Sequence, residues 1–177
     1  FDRWAKEAGF EGIWLVGGRT AGVQDKLDIC DAYYYFEPGY SLKHGLTGLQ
    51  TLEYNISTGL RYARNIMLNA EILERRIPID WIYSSILRRN YKANEYPGII
   101  ARWDNTPRRG SKGLVYTGAS AEKFKDTLCK LNQKIPEDSF VFINAWNEWG
   151  EGAMLEPDKE EGYAYLEAIR EVCSENA

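Results

Sequence analysis

Apolar runs and amphipathic stretches alternate along the 177 residues. Residues 2–8, "DRWAKEA", read as the end of a helix, and "GIWLVGG" (12–18) as a buried strand closed by glycines. "DAYYYFEPG" (31–39) predicts a second strand, rich in β-preferring aromatics and stopped by Pro38 and Gly39. Over 58–76, Ala63, Ile66, Met67, Ala70 and Leu73 recur at helical spacing with Arg and Glu between them, and Pro78 is expected to end that helix. "DWIYSSILRR" (80–89) fits a strand or a helix. "GIIARW" (98–103) predicts a third strand. Residues 120–133 predict a helix capped by Ser120, with Phe124, Leu128 and Leu131 on its apolar face. "SFVFINAW" (139–146) predicts a fourth strand. A last helix is expected over 160–174, with Tyr163, Leu166, Ile169 and Cys173 facing inward.

Strands alternating with helices imply parallel βαβ units. The strands are nearly continuous apolar runs, as expected where both sheet faces are covered. About four such units fit the chain, half of a (β/α)8 barrel, and such a barrel takes roughly 250 residues. The expected fold class is therefore α/β: the C-terminal half of a TIM-type barrel, forming residues 1–177 as a single partial domain. The chain opens on Phe1 in mid-pattern, so an N-terminal half of the same polypeptide is the expected partner. The alternative is a small open α/β sheet.

Composition adds exclusions. A net charge of −4 gives no electrostatic footprint for nucleic acid, and no apolar run is long enough to span a bilayer. The three cysteines, Cys30, Cys129 and Cys173, have neither disulfide nor zinc spacing. They read as small hydrophobes in a reducing, cytoplasmic setting. With His44 the lone histidine, neither a His-based triad nor a multi-His metal site is available. No metal or organic cofactor is indicated. The 6 Trp and 12 Tyr suit a ligand with apolar faces and polar rims, such as a sugar.

The chemistry-bearing residues cluster at expected strand ends, where barrel enzymes place their active sites. One strand ends in "RWDNTPRRG", with Arg102, Trp103, Asp104, Asn105, Arg108 and Arg109. Another ends in "FEPG", with Glu37. A third runs into "NAWNEWGEGAMLEPD", with Trp146, Asn147, Glu148, Trp149, Glu151 and Glu156. On a helical turn, carboxylates three residues apart would have Cβ atoms roughly 5–6 Å apart. Carboxyl groups about 5–5.5 Å apart suit retaining glycoside cleavage. Crowding also separates the two titrations, so one group serves as acid while the other stays ionised. The tryptophans offer a stacking wall and the asparagines offer hydrogen bonds to hydroxyls. The competing reading of Glu148 and Glu151 is a solvated helix start, where acidic residues are common.

"NAWNEWGEGAMLEPD" and "ARWDNTPRRG" resemble the two signature blocks of the WbsX-type glycosyltransferase family, which carries a glycoside-hydrolase-family-99-like domain. The order "WAKEAGFEGIWLVG", "DAYYYFEP", "YPGIIARWDNTPRRG", "FVFINAWNEWGEG", "GYAYLEAIR" extends the resemblance over nearly the whole chain. It implies work on bacterial surface polysaccharide, O-antigen or lipopolysaccharide. Family 99 endo-mannosidases carry a similar N-E-W-x-E-G-x-x-(I/L)-E string. The resemblance implies that Glu148 acts as base on the sugar's own 2-hydroxyl and Glu151 as acid, then base, at the leaving group. Glu156 matches the trailing Glu, a substrate-binding position or one behind it. Gly150 stands where those mannosidases have a bulkier residue, so their substrate specificity does not carry over.

Transfer and hydrolysis remain open. The chain has no Asp-x-Asp and no G-x-x-x-x-G-K-[ST] loop. "VGGRTAG" (16–22) reads as a βα turn. "PRRGSKG" (107–113) could clamp an anionic donor through Arg108 and Arg109. The same carboxylate pair transfers a sugar if an acceptor replaces water. The expected sugar site is Trp103, Asp104, Asn105, Trp146, Asn147 and Trp149, with a glycan or activated sugar as substrate. The alternative function is a non-catalytic glycan-binding or scaffold domain of a larger polysaccharide-synthesis protein.

Overall fold

The computed structural model describes residues 1–22, 29–69 and 73–174. The chain is mixed α/β. Helix α1 (Asp2–Glu7) leads to strands β1 (Val16–Arg19) and β2 (Ala32–Tyr35), then helices α2 (Gly39–His44) and α3 (Gly48–Met67). Strand β3 (Arg75–Pro78) runs directly into α4 (Ile79–Arg88). Strands β4 (Glu95–Tyr96) and β5 (Gly98–Ile100) are followed by the short helix α5 (Thr106–Arg109), strand β6 (Leu114–Thr117) and helix α6 (Ala121–Asn132). Strand β7 (Phe142–Asn144), the hairpin of β8 (Asn147–Glu148) and β9 (Ala153–Met154), and helix α7 (Ala164–Ser174) complete the chain.

Three parallel groupings carry the fold among the described residues: β1-β2-β4, β3-β6 and β5-β7. Among the strand pairs there only the β8-β9 hairpin is antiparallel, and isolated antiparallel bridges join Asp104 to Val115 and Asp158 to Gly162. The core lies where α4, α6 and α7 cover β3, β5 and β6. Ile77, Ile82, Ile86, Ile99, Ile100, Phe124 and Leu131 are buried in it. Each such side chain contributes about 1.5–3 kcal/mol by leaving water.

The structure resolves the ambiguous stretch 80–89 as helix. Ile79, Ile82, Tyr83 and Ile86 recur at helical spacing and are all buried. It confirms the Ser120 cap: the Ser120 hydroxyl accepts the Lys123 amide at 3.2 Å, and Phe124, Leu128 and Leu131 face the core. Other expectations need correction. Of the helix expected over 58–76, residues 70–72, Ala70 among them, lie outside the described residues. Helix α3 starts earlier, at a Thr47–Gln50 capping box, and Pro78 closes β3 rather than the helix. The apolar run 12–15 precedes β1 and leaves Ile13, Trp14 and Leu15 partly exposed, because β1 is paired on one side only. Gly17 and Gly18 belong to that strand rather than to a turn. In α7 the fully buried positions are Tyr165, Ala168 and Val172, while Tyr163 and Cys173 face solvent. His44 ends α2. It packs against Tyr40, with Nε2 3.2 Å from the Ala21 carbonyl oxygen.

Candidate active site

Strands β5 and β7 run side by side in register, Gly98 beside Phe142 and Ile100 beside Asn144. Their C-terminal ends therefore deliver residues 101–109 and 145–152 to one place. There the two polar segments interlock. The Asp104 amide donates to the Glu151 carbonyl at 2.8 Å, and Arg108 forms an ion pair with the Glu151 carboxylate.

Glu148 and Glu151 do not share a helical turn. Glu148 is extended and pairs with Ala153 in the hairpin, and a single 3-10 turn, Trp149–Glu151, connects the two strands. Gly152 closes it with φ +57°, and the Asp104 backbone lies about 3 Å from where a Gly152 Cβ would be. A side chain there would meet both a strained backbone and a steric clash. The two carboxylates thus occupy the β8 end and the tip of a tight hairpin, which its antiparallel pairing holds in place of a helix.

Around them, Trp146 and Trp149 are 56% and 57% exposed, so both rings are open to a ligand. Asn147 Nδ2 donates to Glu156 at 2.9 Å, placing the trailing Glu beside the hairpin. Arg109 is exposed on α5. Trp103 is half-buried against the core, and its indole Nε1 is buried without a hydrogen-bond partner. Asp104 accepts the Thr106 amide and hydroxyl at 2.9 and 2.6 Å, which starts α5.

Two expected site residues turn inward instead. Asn105 is buried, and its Oδ1 accepts the Leu114 amide at 2.7 Å. That bond ties the end of the β5 segment to β6. Glu37 is also buried, accepting the Ser41 amide and hydroxyl and pairing with Arg89 at 3.1 Å. Burial pushes the Glu37 carboxyl up, and Arg89 and Ser41 oppose it. Arg89 itself lies over the Tyr35 and Tyr40 rings. The side chains of Asn105 and Glu37 do not reach the surface formed by the hairpin.

The sequence reading put Arg102 in the strand-end cluster without a role at the site, and passed over Asp158. They form an ion pair behind the hairpin, and Asp158 also accepts the Glu160 and Glu161 amides at 2.8 Å. The Glu161 amide and Arg102 hold the Asp158 carboxyl down at about 2. Its place at the end of the "EPD" string was the available signal. Among the described residues no group of His, Cys, Asp or Glu is arranged to hold a metal ion.

A solved structure described as a glycoside hydrolase-like protein superposes with TM-score 0.55 over 97% of this chain and 47% of its own, at 14% identity. At that identity the likeness is one of fold. A protein described as uncharacterized, WxcX, from Xanthomonas campestris pv. campestris (strain B100) is 48% identical over 81 residues, 43% of this chain and 12% of its own length. The chain therefore spans a minor part of each of these relatives. The family model for glycosyltransferase WbsX matches residues 1–169, and the chain belongs to that family.

Proposed function

We propose that this chain is the C-terminal half of a (β/α)8 barrel and carries the acid/base pair of an enzyme that makes or breaks glycosidic bonds in bacterial surface polysaccharide. Glu148 takes the proton of the sugar's 2-hydroxyl as O2 bonds to C1 and the leaving oxygen departs with a proton from Glu151. The anhydro-sugar then opens as Glu151 deprotonates the incoming hydroxyl, whose oxygen bonds to C1, and Glu148 returns the proton to O2. Water as the incoming group gives hydrolysis, and an acceptor sugar gives transfer. Trp146 and Trp149 stack on the sugar faces, while Asn147, Glu156 and Asp104 lie within the same surface. Trp103 backs it, and Arg109 stands at its exposed edge.

The observation that carries this reading is the interlock of the β7 hairpin with the β5 segment, which puts both carboxylates beside two exposed tryptophans. Arg108 clasps Glu151, so this chemistry requires Glu151 to exchange the guanidinium for the leaving oxygen. The same ion pair favours a second reading, a non-catalytic glycan-binding domain in which Glu151 is structural.

The test uses the whole polypeptide that contains this chain. It is incubated with activated α- and β-glycosides, with and without acceptor sugars, alongside Glu148→Gln and Glu151→Gln. Turnover that falls about a hundredfold or more in each variant supports acid–base catalysis. Glycan binding without turnover, unchanged in both variants, supports the second reading.

A further inference from the structure

Helix α3 is turned opposite to an ordinary surface helix. Leu49, Leu52, Ile56 and Leu60 are exposed, whereas Tyr54, Thr58, Arg61 and Asn65 form a half-buried stripe facing the protein. That polar stripe lies over the start of β3 and encloses a cavity of about 480 Å³ lined by Tyr54, Ser57, Thr58, Arg61, Arg75 and Arg76, with Leu73 and Glu74. A neighbouring cavity of about 420 Å³ shares Glu74 and Arg76 and reaches Asp104 and Thr106. The groove therefore runs from α3 to the edge of the proposed glycosidic site.

Among the described residues its charge is unbalanced. Three guanidinium groups line the first cavity against one carboxylate, Glu74, which is ion-paired with Arg76 at 2.5 Å. Arg75 donates to the Tyr54 hydroxyl at 2.7 Å, and Arg61 donates to the Leu73 and Ser111 carbonyls at 2.9 and 3.2 Å. Both are partly buried, and neither has a carboxylate partner among the described residues. The Thr58 hydroxyl and Arg61 Nε are buried without hydrogen-bond partners. Partly buried, uncompensated charge is costly in a folded protein, and all the more telling in a chain whose net charge is −4. A single carboxylate would balance one of the two guanidiniums, whereas a diphosphate balances both and matches their planar forks.

We propose that this groove is an anion subsite that takes the phosphoryl or diphosphate group of a substrate, with Arg61 and Arg75 as its counter-charges. The placement beside Asp104 rests on the proposed glycosidic site, whereas the binding itself does not.

The test is calorimetric titration of the whole polypeptide with inorganic pyrophosphate, with acetate at matched ionic strength as control. Arg75→Gln and Arg75→Lys serve as variants, with the thermal midpoint of each read beside the titration. The Lys variant keeps the charge, so it controls for local folding. Saturable pyrophosphate binding, weakened at least about tenfold by Arg75→Gln with the thermal midpoint kept, and weakened less by Arg75→Lys, supports the subsite. Binding no stronger than that of acetate, or unaltered by Arg75→Gln, overturns it. A nucleoside diphosphate and a short prenyl diphosphate then identify the source: whichever binds more tightly than pyrophosphate is the donor or the carrier type. Heat of binding is read without turnover, so the subsite and the carboxylate chemistry fail separately.

Discussion

The amide of Asp104 donates to the carbonyl of Glu151 at 2.8 Å, joining the end of the β5 segment to the tip of the β8-β9 hairpin. That contact is possible because residue 152 has no side chain. Gly152 has φ +57°, and the Asp104 oxygen, nitrogen and Cβ lie 3.0–3.3 Å from where its Cβ would stand. Gly152→Ala is expected to lose about 1–2 kcal/mol from the left-handed backbone alone, with more from the clash. Glycoside turnover should fall further than stability explains, because Glu151 shifts with the turn. Urea denaturation and turnover measured on the same sample check this, and a variant unchanged in both would show that the turn accepts a side chain at residue 152.

Asn105 is predicted to hold the scaffold rather than the sugar. Asn105→Ala leaves the buried Leu114 amide unsatisfied, for a loss of about 1–3 kcal/mol. Equilibrium unfolding measures it. Unaltered stability with weakened glycan binding would return Asn105 to the sugar site.

The Glu37–Arg89 pair joins a fully buried carboxylate to a partly buried guanidinium, so breaking it leaves a buried charge unpaired and is costly. Arg89→Met is expected to destabilise the fold by about 3–5 kcal/mol at neutral pH. The sign of the pH dependence follows from burial, which raises the Glu37 carboxyl in the folded state. A raised carboxylate costs stability above its unfolded value of about 4.3, and protonation on acidification relieves that cost. Without Arg89 the relief is larger, so the deficit of the variant should shrink as pH falls from 7 towards about 4.5. A deficit that is constant with pH would contradict this account.

Asp158 has the opposite sign. Its folded value of about 2 lies below the ordinary 3.8, so its contribution is complete above the unfolded value and fades as pH falls towards 2. In Asp158→Asn, stability is expected to be lower near neutrality and flatter between roughly pH 4 and 2 than in the parent. Thermal midpoints across that range decide it, and parallel curves would show that the Glu161 amide and Arg102 contacts of the carboxylate contribute nothing measurable.

Helix α6 and its Ser120 cap were legible in the sequence because a cap and a 3.6-residue apolar repeat act over a few neighbouring residues. The positions of β1, β2, β5 and β7 were legible as local apolar runs, although β3, β4, β6 and the β8-β9 hairpin were missed. "RRIP" and "LVYT" are too short and too polar at one end to stand out, and each is a strand because the other lies beside it. The family motif was legible as a string. Its geometry was not, since spacing suggested a helical turn where antiparallel pairing builds a hairpin.

The sequence by itself determined the amphipathic periods, the aromatic and acidic string at the end of β7, and membership of its family. Which way each polar side chain faces was decided by tertiary structure alone. Glu37 and Asn105 lie in segments as polar as those around Glu148, yet they turn inward because Arg89, Ser41 and the Leu114 amide wait there to satisfy them. Helix α3 carries a strong apolar stripe but turns its polar side to β3, where the Leu73 and Ser111 carbonyls receive Arg61. Burial of a polar group depends on partners distant in the chain, and local pattern holds no record of them.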